Sequence, residues 1–486
     1  MSSYFTDLAQ QYIDGEWRPG TGSWDIIDFN PYDGEKLASI TIAAVDEIDQ
    51  AYRAAARAQQ QWAVLNPYAR RAVFEKALRL VEEREGEITE AIIAELGGTH
   101  LKAGFELHLA KEFLRESVHL ALRPEGKILP SPVDGKENRL YREPVGVVGV
   151  ISPFNFPFLL ALKSVAPALA LGNGVVLKPH QNTPIVGGTL VAKIFEDAGL
   201  PGGLLNVVVT DIAEIGDAFI EHPIPKVISF TGSDKVGRHV ATVCAGLFKR
   251  SVLELGGNSA IVILDDADVD YAVDAAVFSR YVHQGQVCMA ANRVLVDRSI
   301  ADVFTEKFVA KVKSLKAGDP RDPGTVIGPV INSRQAESIS ATVEQAIAEG
   351  ATALVRGATT DNLVEPSVLT DVPADSALLR QEVFGPVAFL IPFDGEEEAV
   401  RLVNDTPYGL SGAVHTGDVE RGVAFARKID TGMFHVNDGT VHDEPLVPFG
   451  GEKNSGIGRL NGETTLEAFT TLKWISVQHG RSGFPF

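Results

Sequence analysis

From about residue 145 onward, short apolar, β-branched runs alternate with segments of helical period. Segments 147–151, 175–178, 205–209, 227–230 and 260–264 are mostly apolar, the texture of strands buried on both faces. The stretches between them are long enough for crossover helices, so the series predicts a parallel, doubly wound sheet. A second α/β series starts near Ser259 and continues through 293–296, 352–355, 387–391 and 433–436. Two α/β lobes are therefore expected. Ahead of them, Asp14-Gly15 sits between Tyr12-Ile13 and Glu16-Trp17 and predicts a hairpin, because Asp-Gly supplies the positive φ angles of a tight turn. Segment 46–65 is alanine-rich and amphipathic. Asn66-Pro67 then offers an N-cap and a first-turn proline to a long helix running toward Glu95. At the other end, 468–477 is an isolated β-prone run, which reads as a terminal strand that pairs elsewhere, as in an oligomer contact.

The bulk numbers narrow the field. A chain of 486 residues exceeds one ordinary core. Hydrophobic content of 45% with 22% charged residues fits folded α/β proteins without long disordered tracts. A net charge of −20 argues against a nucleic-acid partner, since phosphate binding needs clustered Lys and Arg. Two cysteines allow no disulfide framework, no Cys/His cluster has metal spacing, and a reducing cytoplasm is expected. The N-terminal segment 1–14 has no basic start followed by an apolar run and does not read as an export signal. The greasiest stretch, 156–176, is interrupted by Lys163, Pro167 and Asn173, so it is expected in the core rather than in a membrane.

Candidate chemistry centres on Cys288 in Gly285-Gln286-Val287-Cys288-Met289. Glu254 lies 34 positions upstream (288 − 254) in Glu254-Leu255-Gly256-Gly257-Asn258. Only the thiolate is nucleophilic, so a reactive cysteine here requires surroundings that lower its pKa from roughly 8.5, and a nearby carboxylate can activate water. The alternative is a cysteine acting as a small buried hydrophobe and a glutamate that caps or pairs a helix. Asn155, one amide among aromatics and prolines in Ile151-Ser152-Pro153-Phe154-Asn155-Phe156-Pro157, either bonds turn amides or donates to an oxyanion. Lys178-Pro179 ends a strand, where a lysine either holds cofactor oxygens or is merely solvated. Ser229-Phe230-Thr231-Gly232-Ser233 precedes a helical run through Val236-Gly237, an arrangement that can hold a pyrophosphate and that any strand-to-helix turn shares. No GxGxxG, GxxxxGK[ST] or HExxH motif occurs.

Together these segments resemble the aldehyde dehydrogenase superfamily. Seven colinear blocks carry the resemblance: Pro153-Phe154-Asn155-Phe156-Pro157, Leu177-Lys178-Pro179, Phe230-Thr231-Gly232-Ser233, Glu254-Leu255-Gly256-Gly257-Asn258, Gly285-Gln286-Val287-Cys288, Glu382-Val383-Phe384-Gly385-Pro386 and Pro448-Phe449-Gly450-Gly451. The resemblance implies a Rossmann-like NAD(P)-binding domain over 1–120 and 142–252 and a catalytic domain over 253–450. It also implies a β-arm over 121–141 and 451–486 that joins subunits into a homodimer or homotetramer. It makes Cys288 the nucleophile, Asn155 with the Cys288 amide the oxyanion hole, and Glu254 the general base, with an aldehyde as substrate. Lys178 and Glu382 would hold the two riboses, Phe384 would pack beside the nicotinamide, and Gly232, Ser233 and Gly237 would cover the pyrophosphate. Ile151, Ser152, Phe154 and Gln181 complete the cofactor set. No metal is implied.

Two details refine the resemblance. After Lys178-Pro179 the family often has a small residue and then Glu, whereas His180-Gln181 stand here. Neutral Gln181 removes the repulsion of a 2′-phosphate, so either NAD or NADP is expected as cofactor. Segments 283–290 and 435–445 look most like the benzaldehyde and vanillin dehydrogenase branch, with Phe156, Leu159 and Phe449 walling an apolar pocket or serving as ordinary core. An aliphatic or semialdehyde dehydrogenase would share all seven blocks; an anionic substrate would need a basic pocket residue.

Overall fold

A computed structural model describes residues 3–486. Residues 1 and 2, which open the N-terminal segment discussed above, lie outside the described residues. Five parallel strands form the centre of the first sheet, in the spatial order Leu205–Val207, Gly174–Lys178, Val147–Ile151, Val227–Thr231 and Arg250–Glu254. The strand order reverses beside Val147–Ile151, and open α/β sheets bind ligands at such a point, outside the carboxyl ends of the strands. The hairpin Gln11–Ile13 and Glu16–Arg18 extends one edge antiparallel, with Asp14 at φ 57° and Gly15 at φ 83° in its turn. The helix Val45–Val64 follows. The long helix expected up to Glu95 is two helices, Pro67–Glu83 and Glu85–Leu96, broken at Arg84. Asn66 caps the first by accepting from the Tyr68 amide at 2.9 Å.

The second sheet has seven strands, ordered Thr352–Val355, Ser367–Thr370, Val387–Phe393, Ala291–Asp297, Ser259–Ile263, Gly412–His415 and His435–Val436. All neighbouring pairs are parallel except the first. A separate antiparallel sheet joins Lys127–Leu129, Lys136–Pro144 and Thr470–Gln478. The terminal β-prone run thus pairs far back in the sequence. Sheet membership also crosses two boundaries drawn from sequence. The arm strand runs on to Pro144, and Gly456–Ile457, inside segment 451–486, pairs antiparallel with Arg250–Glu254 as an edge of the first sheet.

The apolar run 156–176 forms the helix Pro157–Ala170, in which every residue but Leu160 is buried. A helix that is apolar all round belongs in a core. No helix of the described residues is long and apolar enough to cross a membrane.

Candidate active site between the two sheets

Glu254 is the last residue of its strand in the first sheet, and five residues later Ser259 opens a strand of the second. The intervening Gly256-Gly257 is where the two halves come closest. A Cβ on Gly257 would collide with the Cys288 carbonyl oxygen, and one on Gly256 with Glu382 Oε2. The Gly257 amide donates to Glu382 Oε1 at 3.0 Å.

Two cavities meet at this seam. The larger, about 580 Å³, lies within the size range of small-molecule sites and runs along the carboxyl ends of the first sheet. Its wall includes Ile151, Ser152, Phe154, Lys178, Gln181, Gly232, Ser233, Glu382 and Phe384. Phe154 packs edge-to-face on Phe384, with ring centroids 5.7 Å apart. Gly237 is not on this wall, contrary to expectation. It lies buried in the helix Asp234–Gly246 against Leu255, which is why a side chain does not fit there. The second cavity is a narrow apolar slot walled by Phe156, Leu159 and Phe449, with Phe105, Leu109 and Val441. Asn155, Glu254 and Cys288 line both cavities.

The donor set of the larger cavity fits a dinucleotide. The Lys178 ammonium faces it and, among the described residues, makes no hydrogen bond. Burial draws the Lys178 pKa down, and Asp211 pushes it back up. Ile212, Ile215, Phe219 and Val240 give the far end an apolar lining suited to a flat base. Glu382 is pushed up to about 7 by burial first, against the pull of its bond from Gly257.

Charge at the seam differs from the sequence-based expectation for the thiol. The Cys288 pKa is pushed up to about 12, by burial first and then by the Glu382 and Glu254 carboxylates, with Lys163 pulling the other way. In this state the thiol is protonated, and the lowered pKa expected for a reactive cysteine is absent because burial first and the Glu382, Glu254 and Asp443 carboxyls after it outweigh Lys163. Both Glu254 oxygens are buried without a hydrogen-bond partner, and burial pushes that carboxyl up to about 8. A carboxylate of that kind is a base poised near neutral pH. Asn155 donates from Nδ2 to the Gln286 carbonyl at 3.0 Å, which ties it to the Cys288 loop and leaves its second N–H available.

Several residues that build this site escaped the sequence reading. His283, Gln284 and Gly285 have φ of 51°, 54° and 72°, a left-handed turn that L-residues other than Gly enter at a cost of about 1–2 kcal/mol each. It is held by the wholly buried Arg280, whose Nη2 donates to the carbonyls of Gly285 (3.1 Å), Val383 (3.0 Å) and Gly385. Gln284 Nε2 adds a bond to the Pro329 carbonyl at 2.8 Å. In the slot, Lys163 pairs with Asp443 at 2.6 Å and stands 3.5 Å from the Phe449 ring centroid. The available signal was a single lysine inside the most apolar run of the chain.

Comparisons with known proteins bear on the chain as a whole. The family model described as "Aldehyde dehydrogenase family" matches residues 17–475. A benzaldehyde dehydrogenase of Bacillus subtilis (strain 168) is 58% identical over 482 residues, covering 99% of each chain. A vanillin dehydrogenase of Corynebacterium glutamicum is 46% identical, covering 97% of this chain and 98% of the relative. The crystal structure of an NAD-dependent benzaldehyde dehydrogenase from Corynebacterium glutamicum superposes with a TM-score of 0.89 at 43% identity, covering 97% of this chain and 98% of that one. The chain belongs to the aldehyde dehydrogenase family.

Proposed function

We propose that this protein oxidises aromatic aldehydes of the benzaldehyde and vanillin type to carboxylic acids, with NAD or NADP as electron acceptor. One observation carries the reading: a thiol, an amide with a spare donor and an unpartnered carboxylate converge where a dinucleotide-sized cavity meets an apolar slot. The names of the relatives support the aromatic substrate class. Lys178, Glu382, Ser233 and Phe384 would hold the cofactor, and when bound it supplies the hydride acceptor for the oxidation.

The chain's own residues do the rest. The Cys288 thiol gives up its proton to water in the cavity, Sγ forms a bond to the aldehyde carbon as the C=O π bond opens, and the carbonyl oxygen becomes an oxyanion, stabilised by the second Nδ2 proton of Asn155 and the Cys288 amide. After oxidation the acyl group is held on Cys288 as a thioester. Glu254 takes a proton from water, the hydroxide adds to the thioester carbon, and the C–S bond breaks to release the acid and restore the thiol. Of the alternatives, an aliphatic or a semialdehyde substrate, the anionic semialdehyde finds less support, because the lysine in the slot is already paired with Asp443.

Subunit pairing into a homodimer or homotetramer is proposed through the three-stranded sheet, whose Ile128, Leu472, Trp474 and Ile475 are exposed. The lobe assignment (1–120 with 142–252, then 253–450, with the arm over 121–141 and 451–486) belongs to the same proposal, as does a reducing, cytoplasmic setting for the two free thiols.

The test is a panel of initial rates with benzaldehyde, vanillin and propanal. A phenyl ring buries on the order of 60 Å² more than an ethyl group, about 1.5 kcal/mol or roughly ten-fold in kcat/KM. Equal or inverted preference would refute the aromatic assignment.

A further inference from the structure

We propose that the buried Glu106, whose charge Lys102 balances, is a positioning residue for the aldehyde side of the site, holding Asn155 and Phe156 in register with the Cys288 loop. The inference rests on the reading above that Asn155 and Cys288 form the reacting centre.

Both residues lie on the helix His100–Leu120, one turn apart, with their side chains fully enclosed. One Glu106 oxygen accepts the amides of Phe158 at 3.0 Å and Leu159 at 3.1 Å; the other holds the Lys102 ammonium. Those amides belong to the first turn of the helix Pro157–Ala170, where backbone donors have no partner within the helix. Phe156, at the N-cap position, provides no side-chain acceptor. Glu106 supplies that cap from a different helix, and the residue fixed just ahead of it is Asn155.

The pair also reaches the nucleophile's side. The Lys102 ammonium stands 4.6 Å from the centroid of the Phe156 ring, and the His283 ring packs against Phe156 at a steep angle, 5.4 Å between centroids. His283 opens the left-handed turn five residues before Cys288. Burial first and the Lys102 charge second depress its pKa, against an opposing pull from the Asn155 backbone, and keep it neutral. The result is an unbroken line of contacts: Glu106, the helix start, Phe156, His283 and the Cys288 loop. A buried ion pair is weak evidence for stability, since well-packed apolar residues often do as well. What apolar replacements cannot do is accept two amides.

The test compares two double variants free of buried charge. Lys102→Met with Glu106→Gln keeps the acceptor, and Lys102→Met with Glu106→Leu removes it. Both are measured for thermal melting, NAD affinity by fluorescence titration, and kcat and KM with benzaldehyde. The Gln variant is expected within about three-fold of wild type in kcat. The Leu variant should lose about ten- to a hundred-fold in kcat, as expected for a displacement of up to about 1 Å at the reacting centre, with NAD affinity unchanged within about two-fold. Should the Leu variant fail to fold, Glu106→Met in the same background carries the same expectation. Equal kcat in the two variants, or a loss of kcat matched by an equal loss of NAD affinity, overturns the proposal. Cys288→Ala and Asn155→Ala serve as references. If they are inactive while the Leu variant matches wild type, the pair fails and the reacting centre stands; if Cys288→Ala stays active, both fall.

Discussion

Replacing Glu254 with Gln tests the site through activity and stability at once. The carboxyl is buried, neither oxygen is bonded, and its pKa stands at about 8. Burial is the main cause; Asp443 pushes the same way, and Lys163 and Arg459 oppose it. With that value about a tenth of the groups are ionised at pH 7 and about nine-tenths at pH 9, so base-assisted hydrolysis of the thioester should rise roughly ten-fold across this interval. Glu254→Gln should remove that rise and slow turnover by about 10²–10⁴. Mixing it with NAD and benzaldehyde should release up to about one equivalent of NADH, with an acyl group found on Cys288 by mass spectrometry. The stability effect has a definite sign. The folded pKa lies above the ordinary 4.5, so the contribution of this group is full below pH 4.5 and is lost as pH rises through 8. The difference, 8 − 4.5 = 3.5 units, corresponds to an upper bound on the order of 4–5 kcal/mol at pH 9. Glutamine carries no such penalty. The variant should therefore melt above wild type at pH 9 and close to it at pH 5. Equal melting at both pH values would show that Glu254 is not the titrating group inferred here. Unimpaired steady turnover would show that it is not the base, and the absence of both burst and adduct with NAD still bound would extend its role to thiol activation.

Other outcomes follow from the same geometry. Cys288→Ala should abolish aldehyde oxidation while NAD still binds, whereas Cys244→Ala, buried in a hydrophobic cluster of the first lobe, should retain turnover; the reverse pattern would exchange their assignments. Burial raises the pKa of both thiols, so iodoacetamide at pH 7.5 should label the folded, cofactor-free protein at least about ten-fold more slowly than free cysteine, and labelling at the free rate would contradict the charge balance described at Cys288. NADP should be accepted measurably, because Gln181 on the cavity wall is neutral and the adjacent His180, pushed down to about 4 by burial, carries no charge at neutral pH. Gln181→Glu should shift preference toward NAD; an unchanged NAD/NADP ratio from paired kinetics would assign that choice to other residues.

Which parts of this arrangement were legible in the sequence depends on whether the determinants were local. The strands were, because burial on both faces writes continuous apolar runs such as 147–151. So was the Asp14-Gly15 turn, whose dihedral demands only a few residues meet. The break at Arg84 was not: the helical pattern continues through it, and neither Pro nor a cap interrupts it. Gly237 shows the opposite case: a glycine beside a strand-to-helix turn reads as a ligand contact, whereas the structure packs it against Leu255. The blocks around Asn155, Glu254 and Cys288 identified the three groups at the seam, but not their charge state. The Cys288 pKa depends on Glu382, 94 positions away (382 − 288), and no local pattern announces that neighbour. Arg280 and the Lys163 pair with Asp443 were missed for the same reason, since their partners come from distant strands and loops.

The edge strand Gly456–Ile457 has a consequence for how the chain is made. It pairs with Leu253 and Glu254, and the Leu255 amide donates to the Ser455 carbonyl at 2.9 Å, so this edge of the first sheet is closed by residues that leave the ribosome about 200 positions later. During synthesis the strand ending in the proposed base presents open backbone groups while the whole second lobe is still being added. Open edges of this kind recruit other strands. A nascent or truncated chain that stops near residue 450 would thus expose an adhesive edge beside the unfinished site, and that exposure lasts from the synthesis of Glu254 until Gly456 and Ile457 are added.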